Sequence, residues 1–162
     1  MLVEFNLSIW LILLGLTIFS FIVSYVRAYI DERIIKKLWG KVKSLVHWTR
    51  ASITFVIIVV VGYIFWGKRL ISEIKDFESI FDWGFYKPFI RFLCIISYQW
   101  FWYSFYFDII LNRMRGLNDW YVGQSSTTDI MVRKTFGMNS GRIYEIIKIV
   151  FCILSSIGII IL

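Results

Sequence analysis

Four apolar runs, long enough or nearly long enough to cross a lipid bilayer as helices, constrain this sequence most. They cover about residues 7–26, 51–66, 89–111 and 142–162. A membrane-spanning helix needs about 20 residues to cross a hydrocarbon core of about 30 Å. Hydrophobic residues make up 59% of the chain, more than a water-soluble domain usually contains. We therefore predict an all-α integral membrane protein, a four-transmembrane-helix bundle that forms one polytopic domain over residues 1–162.

A basic segment, residues 27–50, separates the first two runs. It carries seven Lys and Arg against two acids, and its apolar residues recur at helical spacing. We expect a basic amphipathic cytoplasmic helix that lies on anionic headgroups, so that the lipid bilayer itself is a partner. The alternative is that the segment continues the first span and packs against another cytoplasmic element.

The distribution of charge predicts the orientation in the membrane. Residues 67–87 balance four basic residues with four acidic ones, whereas residues 112–142 carry five Lys and Arg. The positive-inside rule then makes 27–50 and 112–141 the cytoplasmic segments and puts both termini outside. Only an even number of spans satisfies this alternation. The residues before the first run include Glu4 and no cation, which favours a retained span and a bacterial inner membrane as the location.

Several functional classes have no support in the sequence. The net charge of +7 comes from residues that flank the apolar runs, so we expect no nucleic-acid partner. Cys94 and Cys152 lie inside apolar runs and have no neighbouring ligand residues, so we expect neither a metal nor a cofactor. No pairing of a base with a nucleophile is visible, so we name no catalytic residue.

Polar residues inside the third and fourth runs predict an intramembrane polar stripe. On a helical wheel Ser104 and Asp108 point within about 40 degrees of Ser97, and Ser156 shares a face with Glu145. An ion or proton path, or a binding site, is one hypothesis for such a stripe. The candidate stripe residues are Ser97, Gln99, Ser104, Glu145 and Ser156.

A structural explanation of the same charges is the one that we favour. In it Arg115, Arg142 and Lys148 extend to phosphates at the membrane boundary, and the two carboxylates, Asp108 and Glu145, pair with them. The eight aromatic residues between positions 98 and 107 could line a groove for a lipid. Aromatic side chains are common at membrane boundaries, however, and we expect these to fill lipid-facing volume.

The segment 112–137, NRMRGLNDWYVGQSSTTDIMVRKTFG, is the most distinctive part of the chain. It is polar and longer than a minimal connector. Its arginines could clamp a phosphate or a lipid headgroup, but Gly116 and Gly123 are not followed by the residues of a phosphate-binding loop. Ser126 and Asp129 resemble a capping box that opens a short helix over 130–136. The candidate docking or headgroup-binding residues are Asp108, Asn112, Arg113, Arg115, Asp119, Tyr121 and Asp129.

Three functional hypotheses follow from these features. The leading one is a non-enzymatic accessory or scaffold component that acts through its cytoplasmic loop, with a membrane-protein partner or as a homo-oligomer. The second is an oligomeric pore or a holin-like membrane permeabiliser, in which Ser104 faces the lumen. The third is a lipid-active membrane enzyme that uses Asp108, Asn112 and the neighbouring arginines at headgroup level.

Overall fold

The computed structural model describes residues 7–37, 44–75, 83–122 and 127–162. Within these ranges the chain is all-helical, as predicted, and contains no strand. The helices are α1 (Leu7–Lys37), α2 (Ser44–Lys75), α3 (Trp83–Met114), α4 (Thr127–Phe136) and α5 (Ser140–Ile161), with a short 3-10 turn (Gly137–Asn139) before α5.

Helix α3 is the centre of the fold, because α1, α2 and α5 all pack along it. The contacts also give the helix directions. Thr17 and Ser24 of α1 bond to Tyr98 and Tyr103 of α3 in the same order, so α1 and α3 run parallel.

Helices α2 and α5 run in the opposite direction to α3. Along α2, Phe55 meets the ring of Trp100 at 5.5 Å, and the later residue Trp66 meets the earlier residue Arg91 at 5.3 Å. On α5, the ring of Phe151 stacks on the ring of Phe101 at 4.8 Å, and the earlier residue Lys148 contacts the later residue Asp108 of α3. The four long helices therefore alternate in direction along the chain.

The faces that pack together combine small and polar side chains with some large apolar ones, such as Leu16 and Trp66, and the faces that point outward are large and apolar. Ser20, Ser24 and Gln99 are fully buried, whereas Leu11 and Ile64 belong to a large set of exposed aliphatic and aromatic side chains. Small residues allow helix backbones to approach closely. The outer face of a helix in a water-soluble protein is instead mainly polar.

Two helices are long and apolar enough to cross a membrane. They are α1 over Ile9–Arg33, with a mean hydropathy of 2.3, and α5 over Ser140–Ile161, with 2.1. Only 22% and 28% of their most apolar stretches is buried, unlike the core helix of a soluble protein. The apolar part of α2, Ala51–Trp66, is shorter, and α3 does not meet the same test because polar residues interrupt it.

The basic segment 27–50 does not form the separate amphipathic helix that we expected. Its first part continues α1 as far as Lys37, and its last part, from Ser44, opens α2. Residues 38–43 lie outside the described residues. The alternative prediction, that this segment continues the first helix, is thus correct for residues 27–37. The helix continues because this stretch contains no helix breaker, neither glycine nor proline.

The predicted short helix after the loop is confirmed, since α4 begins at Thr127 and ends at Phe136. The suggested capping residue Ser126 lies outside the described residues. Asp129 is in the first turn of α4, where a carboxylate favours the positive end of the helix dipole.

Candidate functional site

A buried lysine occupies the middle of the interface between α3 and α5. The Lys148 side chain is 2% exposed, and its ammonium group donates to Glu145 Oε1 at 2.8 Å and to the Ser104 carbonyl oxygen at 3.5 Å. It also donates to Asp108 Oδ2 of α3. The Tyr144 ring lies 4.2 Å from the ammonium nitrogen. These five residues, Ser104, Asp108, Tyr144, Glu145 and Lys148, are the charge cluster.

The two carboxyl groups of the charge cluster differ in accessibility. Glu145 is buried, and its second oxygen, Oε2, has no hydrogen-bond partner among the described residues. The Asp108 side chain is 36% exposed, so it lies at the edge of the interface. One ammonium group therefore faces two carboxyl groups, of which one is enclosed and the other opens to the surroundings.

This arrangement corrects part of the sequence interpretation. Lys148 does not extend to the surface, as we had expected, because the two carboxylates and the Ser104 carbonyl draw it into the helix interface. Arg115 and Arg142 are exposed. The expected pairing of Asp108 and Glu145 with a cation is present, and Lys148 is that cation.

The segment that follows α3 is a folded loop anchored by Asn112. The Asn112 side chain is buried, and its Nδ2 donates to the carbonyl oxygens of Asp119 at 3.2 Å and Tyr121 at 2.9 Å. The backbone carbonyl oxygen of Asn112 accepts from the backbone amide of Leu117 at 2.8 Å. Gly116 makes the reversal in the left-handed region, with φ of 69°. Asn112 thus acts as a structural anchor, since its amide is committed to the loop backbone.

An ion pair closes the outer side of this loop. Arg113 donates through Nε to Asp119 Oδ1 at 2.8 Å and through Nη2 to Asp119 Oδ2 at 2.7 Å. The hydrogen bonds from Arg113 hold the pKa of the Asp119 carboxyl below its usual value. The bidentate clamp that we predicted for a ligand is therefore occupied by the chain's own aspartate.

Helices α4 and α5 hold the far end of the loop. The guanidinium of Arg133 on α4 donates through Nε to the carbonyl oxygen of Val122 at 3.1 Å and lies 5.7 Å from the Tyr121 ring centroid. Trp120 lies so close to the start of α5 that a Cβ on Gly141 would be 1.7 Å from the Trp120 carbonyl oxygen. The loop, α4 and the start of α5 thus form one folded unit, which we call the platform (residues 112–122 and 127–141).

The platform leaves apolar and cationic side chains at its surface. Trp120, Ile130 and Met131 are exposed, and Met131 reaches 67%. Arg115 and Lys134 are exposed near them in sequence.

The predicted polar stripe is only partly assembled. Ser104 and Glu145 meet in the charge cluster, but Ser156 lies about 12 Å further along α5 and bonds to the Ile153 carbonyl of its own helix at 2.7 Å. Ser97 is half-buried. Gln99 is fully buried, and neither polar atom of its side chain has a partner among the described residues.

The aromatic block of α3 is used mainly for packing. Its rings contact one another and neighbouring helices, as in the pair of Phe21 and Tyr106 at 5.3 Å. Tyr98 and Trp102 also line an open groove of about 280 Å³ between α1 and α5, together with Trp10 and Cys152.

Sequence reasoning missed the polar contact line between α1 and α3. Ser20 donates to the Gln99 carbonyl at 3.3 Å, and Ser24 donates to the Tyr103 carbonyl at 2.8 Å. The sequence does contain a signal for this contact line, because the small residues Ser20, Ser24 and Ala28 recur every four residues. All three are fully buried in the structure.

Within the described ranges no group of three His, Cys, Asp or Glu side chains could hold a metal ion. No protein-family model, curated protein or solved structure matches this chain. The fold and the site thus define an all-helical protein with two helices able to cross a membrane, a buried charge cluster and a folded polar platform.

Proposed function

We propose that this chain is a four-span membrane protein in which α1, α2, α3 and α5 cross the bilayer and both termini lie outside. The alternating helix directions support this topology, since α1 and α3 run against α2 and α5. Helices α2 and α3 each contain 32 residues, or about 48 Å of helix, which exceeds the length needed to span the hydrocarbon core. The outward apolar faces of all these helices would then contact lipid.

The function that the geometry supports best is that of a non-enzymatic accessory component that binds a partner through the platform. The observation that carries this proposal is the folded state of the loop. Three residues, Asn112, Arg113 and Arg133, fasten it by side-chain hydrogen bonds, although its largest apolar side chain, Trp120, remains exposed. Ordering a loop costs conformational entropy, and a simple connector between two spans would not require it.

The chemistry of the platform surface indicates the kind of partner. Arg115 and Lys134 are exposed and lie near the apolar side chains in sequence, whereas Asp119 is already paired with Arg113. A surface that offers both cations and apolar side chains complements an acidic segment that carries an apolar anchor residue. We propose that the occupant is an acidic cytoplasmic segment of a partner membrane protein, in an inner membrane of bacterial type.

The other two hypotheses have less support. A pore would need α3 to face water, but α3 is packed by three helices and the Ser104 carbonyl accepts from Lys148. A lipid-active enzyme would need free groups at headgroup level. Asp108 is engaged by Lys148, Arg113 by Asp119, and Asn112 by the loop backbone.

Site-specific photo-crosslinking tests the docking proposal in native membranes. A photoreactive amino acid at position 131, which is the most exposed apolar position of the platform, should crosslink to a protein through an acidic segment. The same label at position 64 on α2 is the control, because Ile64 is equally exposed but belongs to the outward apolar face. It should crosslink to lipid.

Two substitutions of the same residue type sharpen the result. Trp120→Ala should reduce the protein crosslink from position 131 by at least about tenfold, the effect of losing about 1.4 kcal/mol at an interface anchor. Trp10→Ala changes a tryptophan of comparable exposure at the start of α1 and should leave the crosslink unchanged. Crosslinks from position 131 to lipid alone, or only to a second copy of this chain, would overturn the proposal.

A further inference from the structure

The charge cluster does not balance if all of its groups are ionised. One ammonium group, Lys148, contacts two carboxylates, Asp108 and Glu145, which together leave one net negative charge in the interface. An uncompensated charge in a buried site is costly, so such a site takes up a counter-charge instead.

Lysine is not the group that gives up its charge. Its ammonium nitrogen has three N–H donors, and three acceptors receive them: Asp108 Oδ2, Glu145 Oε1 and the Ser104 carbonyl. The aromatic face of Tyr144 lies 4.2 Å from the nitrogen, and such a face also favours a cation. A neutral amine would leave one of these contacts without a donor.

The carboxyl groups show where the missing positive charge belongs. Glu145 and Asp108 both contact the ammonium nitrogen of Lys148, yet the buried Oε2 atom of Glu145 has no donor among the described residues. Two ionised carboxylates offer only acceptors to each other. Two carboxyl groups that share one cation leave one negative charge, and a proton held by the pair removes it.

Among the described residues, no cation other than Lys148 forms an ion pair with Asp108 or Glu145. On α4, Asp129 acts on Tyr144 and adds negative charge to that side. On α1, Arg27 forms its own pair with Asp31 at 3.1 Å.

We propose that Asp108 and Glu145 form a proton-binding site that holds one proton between their carboxyl groups while Lys148 stays charged. Binding forms one O–H bond and changes the cluster charge from −1 to zero. Exposed Asp108 gives the route of exchange with the surroundings, and buried Glu145 gives the enclosed end. The proposal does not depend on what the platform binds.

Counting carboxyl protons in the purified full-length protein tests this directly. Infrared spectroscopy in lipid vesicles at pH 7 detects a protonated carboxyl group by its C=O stretching band, which shifts in D₂O. The wild type should show a band equivalent to one group in the charge cluster. Either Asp108→Asn or Glu145→Gln should abolish it, because one carboxylate and one ammonium are already balanced. Lys148→Met should double it.

Two controls keep the result interpretable. Asp119→Asn removes a half-buried carboxylate of the platform, outside the charge cluster, and should leave the band unchanged. If one cluster variant does not fold, the wild type and the remaining variants still decide the outcome. Absence of the band in the wild type would overturn the proposal, and so would its loss when NaCl is raised at constant pH, which would indicate a cation site.

Discussion

Glu145 and Lys148 lie one turn apart on α5 and form an ion pair, with 2.8 Å between Oε1 and Nζ and both side chains almost fully buried. Asp108 of α3 completes the contact from the other helix. The charge cluster that joins α3 and α5 is therefore internal, whereas their outer faces are largely apolar.

Removal of the buried cation should destabilise the fold strongly. Lys148→Met leaves two carboxyl groups in the interface without their shared donor. Breaking a buried ion pair by removing one partner costs about 3–5 kcal/mol, and we expect a loss of that size in the free energy of unfolding. Denaturant titration in detergent micelles would measure it.

The matched control is Arg142→Met on the same helix. Arg142 is exposed, so this change should cost less than about 0.5 kcal/mol. Equal losses in the two variants would contradict the role given to the charge cluster.

Gln99 should be a site where a less polar residue stabilises the protein. Both polar atoms of its side chain are buried without a partner among the described residues, and Oε1 lies only 3.2 Å from the position that a Cβ on Gly62 would take. Gln99→Leu should raise the free energy of unfolding by about 1–3 kcal/mol, the usual cost of burying an unsatisfied polar group.

Ser24→Ala is the opposite case on the same interface. Its hydroxyl donates to Tyr103 O at 2.8 Å, so the change should lower stability by about 1 kcal/mol. A stability loss for Gln99→Leu that equals or exceeds the loss for Ser24→Ala would contradict this account of Gln99.

Gly141→Ala should detach the loop from α5. The added methyl group would overlap the Trp120 carbonyl oxygen at 1.7 Å, which is backbone and cannot rotate away. We expect a cost of about 1–3 kcal/mol, typical of overpacking, and faster tryptic cleavage after Arg113 and Arg115. Gly15→Ala, where nothing lies within 4 Å of the new Cβ, should leave cleavage at wild-type rates. Identical cleavage of both variants would count against the close contact.

The ion pair of the loop should respond to acid. The hydrogen bonds from Arg113 lower the pKa of Asp119, so the folded pKa lies below that of the unfolded chain, which is about 3.9. The pair therefore stabilises the loop fully above the unfolded value, and this contribution is lost as the pH falls through the lower folded value.

Hydrogen exchange of the loop amides measures this effect. Leu117 and Tyr121 donate backbone bonds inside the loop, and at neutral pH both amides should exchange faster in Asp119→Asn than in the wild type. Below the folded pKa of Asp119 the two proteins should exchange alike when compared at the same pH. Equal protection at neutral pH would show that the pair does not order the loop.

The sequence predicted the helices better than their contacts. The runs of apolar residues located α2, α3 and α5, because a run of apolar residues can be recognised along one helix without knowledge of its neighbours. For the charge cluster, the sequence predicted that Asp108 and Glu145 pair with a cation, but not that this cation, Lys148, is buried. Whether Lys148 extends to the surface or turns inward depends on the distance between α3 and α5. The residue pattern of a single helix does not give that distance.

The same limit explains two other outcomes. The four-residue repeat of Ser20, Ser24 and Ala28 identifies a close-packed face, but not the helix that packs there. The basic segment 27–50 has an amphipathic pattern that fits either a separate helix or an extension of α1, and tertiary context selects between them.

The orientation of α3 in the membrane tests the four-span account most directly. Its polar residues make α3 the helix whose membrane crossing is least evident from composition. In a background with Cys94→Ala and Cys152→Ala, Lys87→Cys and Met131→Cys place single exposed thiols on either side of α3. A membrane-impermeant maleimide should label position 87 only from outside and position 131 only from the cytoplasmic side of oriented vesicles. Labelling of both positions from the same side would contradict the four-span account.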